Sequence, residues 1–85
     1  MDKRIIFTAH SLDRIAIRGT SKEEVIDAIE FGSRESGKEN KIICRLNLSY
    51  NSDWMGSFYP IKQVAPVIVE EGDEIIVITV YTYYF

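Results

Sequence analysis

The 85-residue chain is short of several residue types, and each scarcity excludes something. Its one cysteine, Cys44, cannot close an internal disulfide, and no Cys/His cluster carries metal-ligand spacing, so zinc and other cofactors are not expected. The single histidine, His10, leaves any imidazole chemistry with one group to use and no second obvious base. Long apolar runs are missing too: "EIIVITVYTYYF" is about half the roughly 20 residues of a spanning helix and is β-branched and aromatic, so no membrane span is expected. "MDKRIIFTAH" lacks the apolar run and small-residue cleavage site of a secretory signal, which makes the cytoplasm the expected location. Cations are outnumbered, 10 Lys and Arg against 13 Asp and Glu for a net charge of −3, which is the wrong sign for holding nucleic acid by the overall field. Any RNA or DNA contact must be local.

What is present is 46% hydrophobic and 27% charged, the balance of one folded domain spanning residues 1–85. "RIIFT" at 4 to 8 reads as a first strand. A helix starts near Thr8 or Ala9, carries Leu12, Ile15 and Ala16 at buried-stripe spacing, and stops at Gly19, a natural left-handed cap. "SKEE" at 21 to 24 is a capping box, in which Ser21 accepts from the Glu24 amide and the Glu24 carboxylate reaches back to the Ser21 amide. The second helix buries Val25, Ile26, Ala28 and Ile29 and ends at Gly32.

"SRESGKEN" then reads as a polar loop. Residues 42 to 50 alternate, with Ile42, Cys44, Leu46, Leu48 and Tyr50 on one face and Ile43, Arg45, Asn47 and Ser49 on the other. "NSD" reads as a turn, and "WMGSFY" as a strand with Gly56 as a bulge. "QVAPVIVEE" and "EIIVITVYTYYF" flank Gly72-Asp73, a hairpin signal, with Pro66 demoting its strand to an edge or a strand start. In the last strand Ile76, Ile78 and Val80 suit a helix-covered face, and Val77, Thr79, Tyr81 and Tyr83 the face that meets water or a ligand. The order is β-α-α-β-β-β-β: an α+β domain with two N-terminal helices packed on one face of a mostly antiparallel sheet.

His10, Arg14 and Arg18 stand one helical turn apart, roughly 6 Å of rise and about 40° of drift per step, so they form one polar stripe. Guanidinium forks match phosphate oxygens, and a histidine can give or take a proton near neutral pH. Together they are the minimum set for metal-free RNA cleavage, one acid/base and two phosphate clamps. The same residues also suit an ordinary wet helix face, where arginines pair with acids such as Asp13, Glu23 or Glu24 at little net energy.

His10-x-x-x-Arg14-x-x-x-Arg18-Gly19, the short apolar strand before it, the capping box after it and "ITVY" near the C-terminus together resemble a group of small prokaryotic domains of unknown function. That group is placed beside the RelE/ParE toxin superfamily and the wider RelE-like ribonucleases. The resemblance implies a RelE-like fold gripping RNA, with His10, Arg14, Arg18, Thr79 and Tyr81 at the catalytic site, and a cognate antitoxin as a partner. Arg45 and Tyr83 extend the candidate substrate-binding surface. Two departures from the toxins stand out: this chain is acidic, and its cations beyond the first helix are few. They count against a ribosome-dependent toxin more than against a nuclease acting on free RNA.

A different class of function is a non-catalytic interaction module or homo-oligomer of the same fold. "YTYYF" ends the chain with no charged residue after Glu74, and an exposed apolar edge there would invite a homodimer through the C-terminal strand. Cys44 lies on the apolar face of its strand and reads as core. The tyrosines and Trp54 fill core and edge or stack bases, and "EEGDE" reads as a solvated turn.

Overall fold

The computed structural model describes residues 3–85. Its elements are β1 (Arg4–Phe7), α1 (Ala9–Arg18), α2 (Lys22–Phe31), β2 (Ser33–Ser36), β3 (Ile42–Trp54), β4 (Ser57–Glu71) and β5 (Glu74–Tyr84). This is the expected β-α-α-β-β-β-β order. The strands form one sheet in the order β1-β5-β4-β3-β2, with β1 parallel to β5 and the other neighbours antiparallel.

One face of the sheet carries the core. Cys44, Val64, Ile68, Ile75, Val77 and Val80 are buried there beneath Ile15 of α1 and Val25, Ala28 and Ile29 of α2, with Ile42, Leu46 and Leu48 packed against them. Each buried aliphatic contributes about 1.5–3 kcal/mol, against roughly 0–1 for an exposed ion pair, so this layer holds the domain together. In keeping with the alternation, Ile42, Cys44, Leu46 and Leu48 share the core side of β3.

α1 differs from the expectation in its rotation. Its buried residues are Ser11 and Ile15, while Leu12 and Ala16 are exposed. The cause lies at its two ends. Extended Thr8 caps the N-terminus, its hydroxyl accepting from the Ser11 amide at 3.0 Å and donating to the carbonyl of Val77 at 3.0 Å. At the other end the Arg18 carbonyl accepts from the Thr82 hydroxyl at 2.9 Å and the Tyr84 hydroxyl at 2.7 Å. The Gly19 carbonyl accepts from Lys62 at 2.9 Å. Carbonyls that every helix leaves unsatisfied at its C-terminus are thus paired by side chains of β4 and β5. They hold α1 alongside β5 with Ser11, Ile15 and the arginine stripe turned inward. Gly19 adopts φ 74°, and a Cβ there would collide with the Trp54 ring.

The second helix begins as expected in one half of its capping box. Ser21 accepts from the Glu24 amide at 3.2 Å, but the Glu24 carboxylate turns to the Thr20 hydroxyl and to Lys62, both at 2.8 Å, in place of the Ser21 amide. The buried ammonium of Lys62 is the stronger partner. Gly32 closes α2 in extended conformation, φ −76°, where a Cβ would meet the backbone oxygens of Ala28 and Arg45 at 2.5 Å.

Strand boundaries depart more. The expected loop "SRESGKEN" contains β2, a fully exposed edge strand whose Glu35 receives Arg45 across the ladder at 3.1 Å. The expected turn "NSD" lies inside β3, which passes through it with a register shift between Ser49 and Ser52 and Asn51 at φ 47°. "WMGSFY" is two strand ends around a hairpin: Met55 and Gly56 both have positive φ, 50° and 87°, as a type I′ turn requires, so Gly56 is turn and not bulge. The strand count matches the expectation only because the added β2 offsets the loss of "WMGSFY" as a separate strand, its two ends belonging to β3 and β4.

Pro66 sits within β4, a central strand, not at an edge. The β3 ladder accommodates it by a gap: pairing lapses between Leu46–Val64 and Ile43–Val67 and resumes in the same register. A register shift between Val67 and Ile68 against β5 changes which residues of β5 face the core on either side of it. Those residues are Ile75 and Val77, then Val80, and not Ile76, Ile78 and Val80. Thr79, Tyr81 and Tyr83 remain on the side expected to meet water. The β5 strand lies between β1 and β4, and past Val77, where β1 ends, α1 lies alongside it and is bonded to Thr82 and Tyr84. The C-terminal part of β5, expected to pair two copies, is therefore flanked by α1 and joined to it through side-chain hydroxyls.

Candidate functional site

The helix stripe and the last-strand hydroxyls meet. The His10 Nε2 atom lies 3.2 Å from the Thr79 hydroxyl, and His10 is exposed. Two devices bring them together. Thr8 ties the start of α1 to Val77, and β1 ends opposite Val77, which leaves the side of β5 at Thr79 open to the first turn of the helix.

Arg18 extends the site along β5, its guanidinium 5.0 Å from the centroid of the Tyr81 ring. Among the described residues no carboxylate pairs with Arg18. Arg14, between His10 and Arg18 on the stripe, pairs among the described residues with one carboxylate, that of the adjacent Asp13 at 3.4 Å. Its Nε is buried without a hydrogen-bond partner among the described residues, while its side chain stays 31% exposed. That donor is closed to solvent, so an anion can reach Arg14 only through the part of its side chain that stays exposed. Helical side chains lean toward the N-terminus of their helix, so both arginines incline toward the His10 end.

Arg45 and Tyr83 stand apart from this group, farther along the open face of the sheet. The Arg45 guanidinium is 5.8 Å from the Tyr83 ring centroid, and it is also held by Glu35 and by the Gln63 side-chain oxygen at 2.9 Å. Five of the seven nominated residues, His10, Arg14, Arg18, Thr79 and Tyr81, thus line one edge of the domain, with Arg45 and Tyr83 on an adjoining surface.

Other polar groups are structural. Lys62 is 6% exposed and occupied by Glu24 and Gly19. Cys44 is fully buried, and burial pushes its thiol above the usual range, with Arg34 opposing and Glu70 reinforcing the shift. Burial also raises the Tyr84 phenol, whose ring stacks on Trp54 at 4.7 Å. Glu70, in the turn region expected to be solvated, accepts from Arg34 at 3.2 Å. A cleft of about 350 Å³ opens elsewhere, between the end of α2 and β1, lined by Ile5, Ile29, Phe31 and Ile75. Its cations Lys3 and Arg34 both face Glu70, and no residue of the His10 stripe reaches it.

Sequence reasoning overlooks Thr8, which positions the stripe. Its place three residues before Ser11 is an N-cap signal. Its bond to Val77 across 69 residues has no local signature. Comparison with family models, with curated proteins and with solved structures gives no match to this chain. Among the described residues no helix is long and apolar enough to cross a membrane.

Proposed function

We propose that the α1/β5 edge is a phosphodiester site and that the protein is a small, toxin-like, metal-independent ribonuclease. The observation that carries this is the 3.2 Å approach of His10 to Thr79 beside two arginines that, among the described residues, no distant carboxylate occupies. The helix signature, which resembles that of a group of small prokaryotic domains of unknown function placed beside the RelE/ParE toxins, adds support, as does the element order.

In the reaction, the His10 imidazole takes the proton of a ribose 2′-hydroxyl as that oxygen attacks the adjacent phosphorus. The new O2′–P bond replaces the P–O5′ bond, and the departing 5′ oxygen takes a proton from water or from the same imidazole. Arg14 and Arg18 neutralise the charge that grows on the non-bridging oxygens, and the hydroxyls of Thr79 and Tyr81 orient the phosphate. A cytoplasmic protein of this kind would be controlled by an antitoxin covering the His10 edge.

The test is purified protein with single-stranded RNA and a metal chelator. Products should carry 2′,3′-cyclic phosphate and 5′-hydroxyl ends. His10→Ala should lower the rate about 10²- to 10⁴-fold, the usual contribution of one acid/base group. Unchanged cleavage in that variant refutes the assignment.

A second reading, a non-catalytic interaction module, is favoured by one observation. Met55 and Phe58 at the β3–β4 hairpin are 84% and 60% exposed, and Phe85, on the adjoining strand end, is 54% exposed. Light scattering that shows a dimer dispersed by Phe58→Ser, with no cleavage in any variant, would select it.

A further inference from the structure

We infer that the open face of the sheet next to the His10–Thr79 pair binds the bases of single-stranded RNA, with Tyr81 and Tyr83 as stacking positions. This rests on the reading of that pair and its arginines as a phosphodiester site and adds the class of RNA that the site accepts.

The two tyrosines leave β5 on the same face, two residues and about 7 Å apart. They are 39% and 45% exposed. Their cross-strand neighbours are Ala65, too small to shield the Tyr81 ring, and Gln63. Each ring carries a guanidinium, Arg18 on Tyr81 and Arg45 on Tyr83. Planar cations on aromatic rings give bases two kinds of flat surface, and bases stack on either. Gln63 and Asn47, joined at 2.8 Å, place amide groups beside Tyr83 where base edges would lie.

Charge decides between single strand and duplex. The net charge is −3, and only Arg14 and Arg18 offer guanidinium groups to phosphate here, because Arg45 is held by Glu35. Two neutralised phosphates give a log–log salt slope of only about −1.4 on a single strand, far from the contacts that a backbone-tracking duplex binder needs. Affinity must come from stacking, and the base faces of a duplex are already occupied by their neighbours. Only an unpaired strand can offer bases to Tyr81 and Tyr83.

The experiment is fluorescence anisotropy with a short fluorescein-labelled 2′-O-methyl oligoribonucleotide, which cannot be cleaved. It is used single-stranded, annealed to its complement, or carrying abasic positions. The single strand should bind at least about tenfold more tightly than the duplex, and abasic positions should weaken it. Tyr83→Leu should weaken it about five- to hundredfold and Tyr83→Phe little, since the phenyl ring still stacks. Tyr83 is the cleaner position because Tyr81→Leu also frees Arg18. Equal affinity for duplex, indifference to abasic positions, or a neutral Tyr83→Leu would overturn the inference. If Arg14→Ala and Arg18→Ala still weaken binding in that case, the phosphate site stands alone; if no RNA binds in either form, both readings fall. A dimer that Tyr83→Leu dissolves would assign the ring to contact between copies, and would likewise overturn it.

Discussion

Thr8→Val is the substitution that most directly tests how the chain builds its site. Valine keeps the shape and the extended backbone but removes the one hydroxyl that both caps α1 and donates to β5. The cap, a 3.0 Å bond from the Ser11 amide, contributes about 1 kcal/mol. The 3.0 Å bond to the Val77 carbonyl adds about 1 kcal/mol, being half-buried and between neutral groups. Together the loss is about 2 kcal/mol, which for a domain of this size lowers Tm by about 8–16 °C. Urea unfolding followed by circular dichroism measures it, and Thr8→Ser, which keeps the hydroxyl, should recover most of it. The same variant should loosen His10 from Thr79, so RNA cleavage should fall further than stability explains when measured well below the melting transition. A Thr8→Val protein within about 0.5 kcal/mol of the parent, or no better behaviour of Thr8→Ser, would refute the view that this hydroxyl anchors the helix.

Three other expectations can be checked by the same methods. Lys62→Met should cost about 2–3 kcal/mol, because it removes charge-assisted bonds to Glu24 and the Gly19 carbonyl while preserving volume; a neutral result in urea unfolding would show that these bonds contribute nothing net. Gly19→Ala should cost about 2 kcal/mol or more, since a non-glycine left-handed residue is strained and its methyl meets the Trp54 ring; unchanged stability would mean that the ring moves aside freely. Burial raises both Cys44 and Tyr84, so the folded state holds these protons more tightly than the unfolded chain. Stability is therefore full below the ordinary thiol and phenol values, 9.0 and 10.0, and declines as pH rises past them, the Tyr84 part being absent in Tyr84→Phe. A rise in stability from pH 9 to 11 would contradict the sign.

How much of the fold is legible in the residues depends on the range of the interactions involved. The Ser21 cap, the Gly19 stop and the Gly72-Asp73 hairpin are decided within a few residues, and they stand where local chemistry puts them. The β3 alternation is legible because the core covers one face through its apolar half. β2 is not: "SRES" is polar and fully exposed, and it becomes a strand only because β3 presents a ladder to it. Pro66 misleads because a lone missing donor excludes a central position only if the ladder cannot lapse locally, and here pairing with β3 resumes on either side in an unchanged register. The α1 face is hidden for a related reason. Leu12 and Ala16 are the more apolar choice, yet Thr8, Thr82, Tyr84 and Lys62 fix the helix by its ends, and those bonds span 43 to 69 residues. Spacing alone groups His10, Arg14 and Arg18; that Thr79 and Tyr81 adjoin them comes only from the resemblance to toxin-like domains, since composition carries no distance information.

The site owes its arrangement to a match between two periods. Four residues of helix rise about 6 Å, and two residues of strand about 7 Å, so a stripe at i, i+4, i+8 stays nearly in step with alternate residues of a strand beside it. α1 runs alongside β5 in the same direction, tied to it at Val77 and again at Thr82 and Tyr84. His10 therefore meets Thr79, and Arg18, leaning back toward the helix start, meets Tyr81. Neither partner needs a loop to bring it into place. A helix fixed at both ends cannot rotate its stripe away without breaking several bonds, so the backbone positions of His10, Arg14 and Arg18 are set by the fold; for the proposed reaction, that is the condition under which charge stabilisation costs little reorganisation.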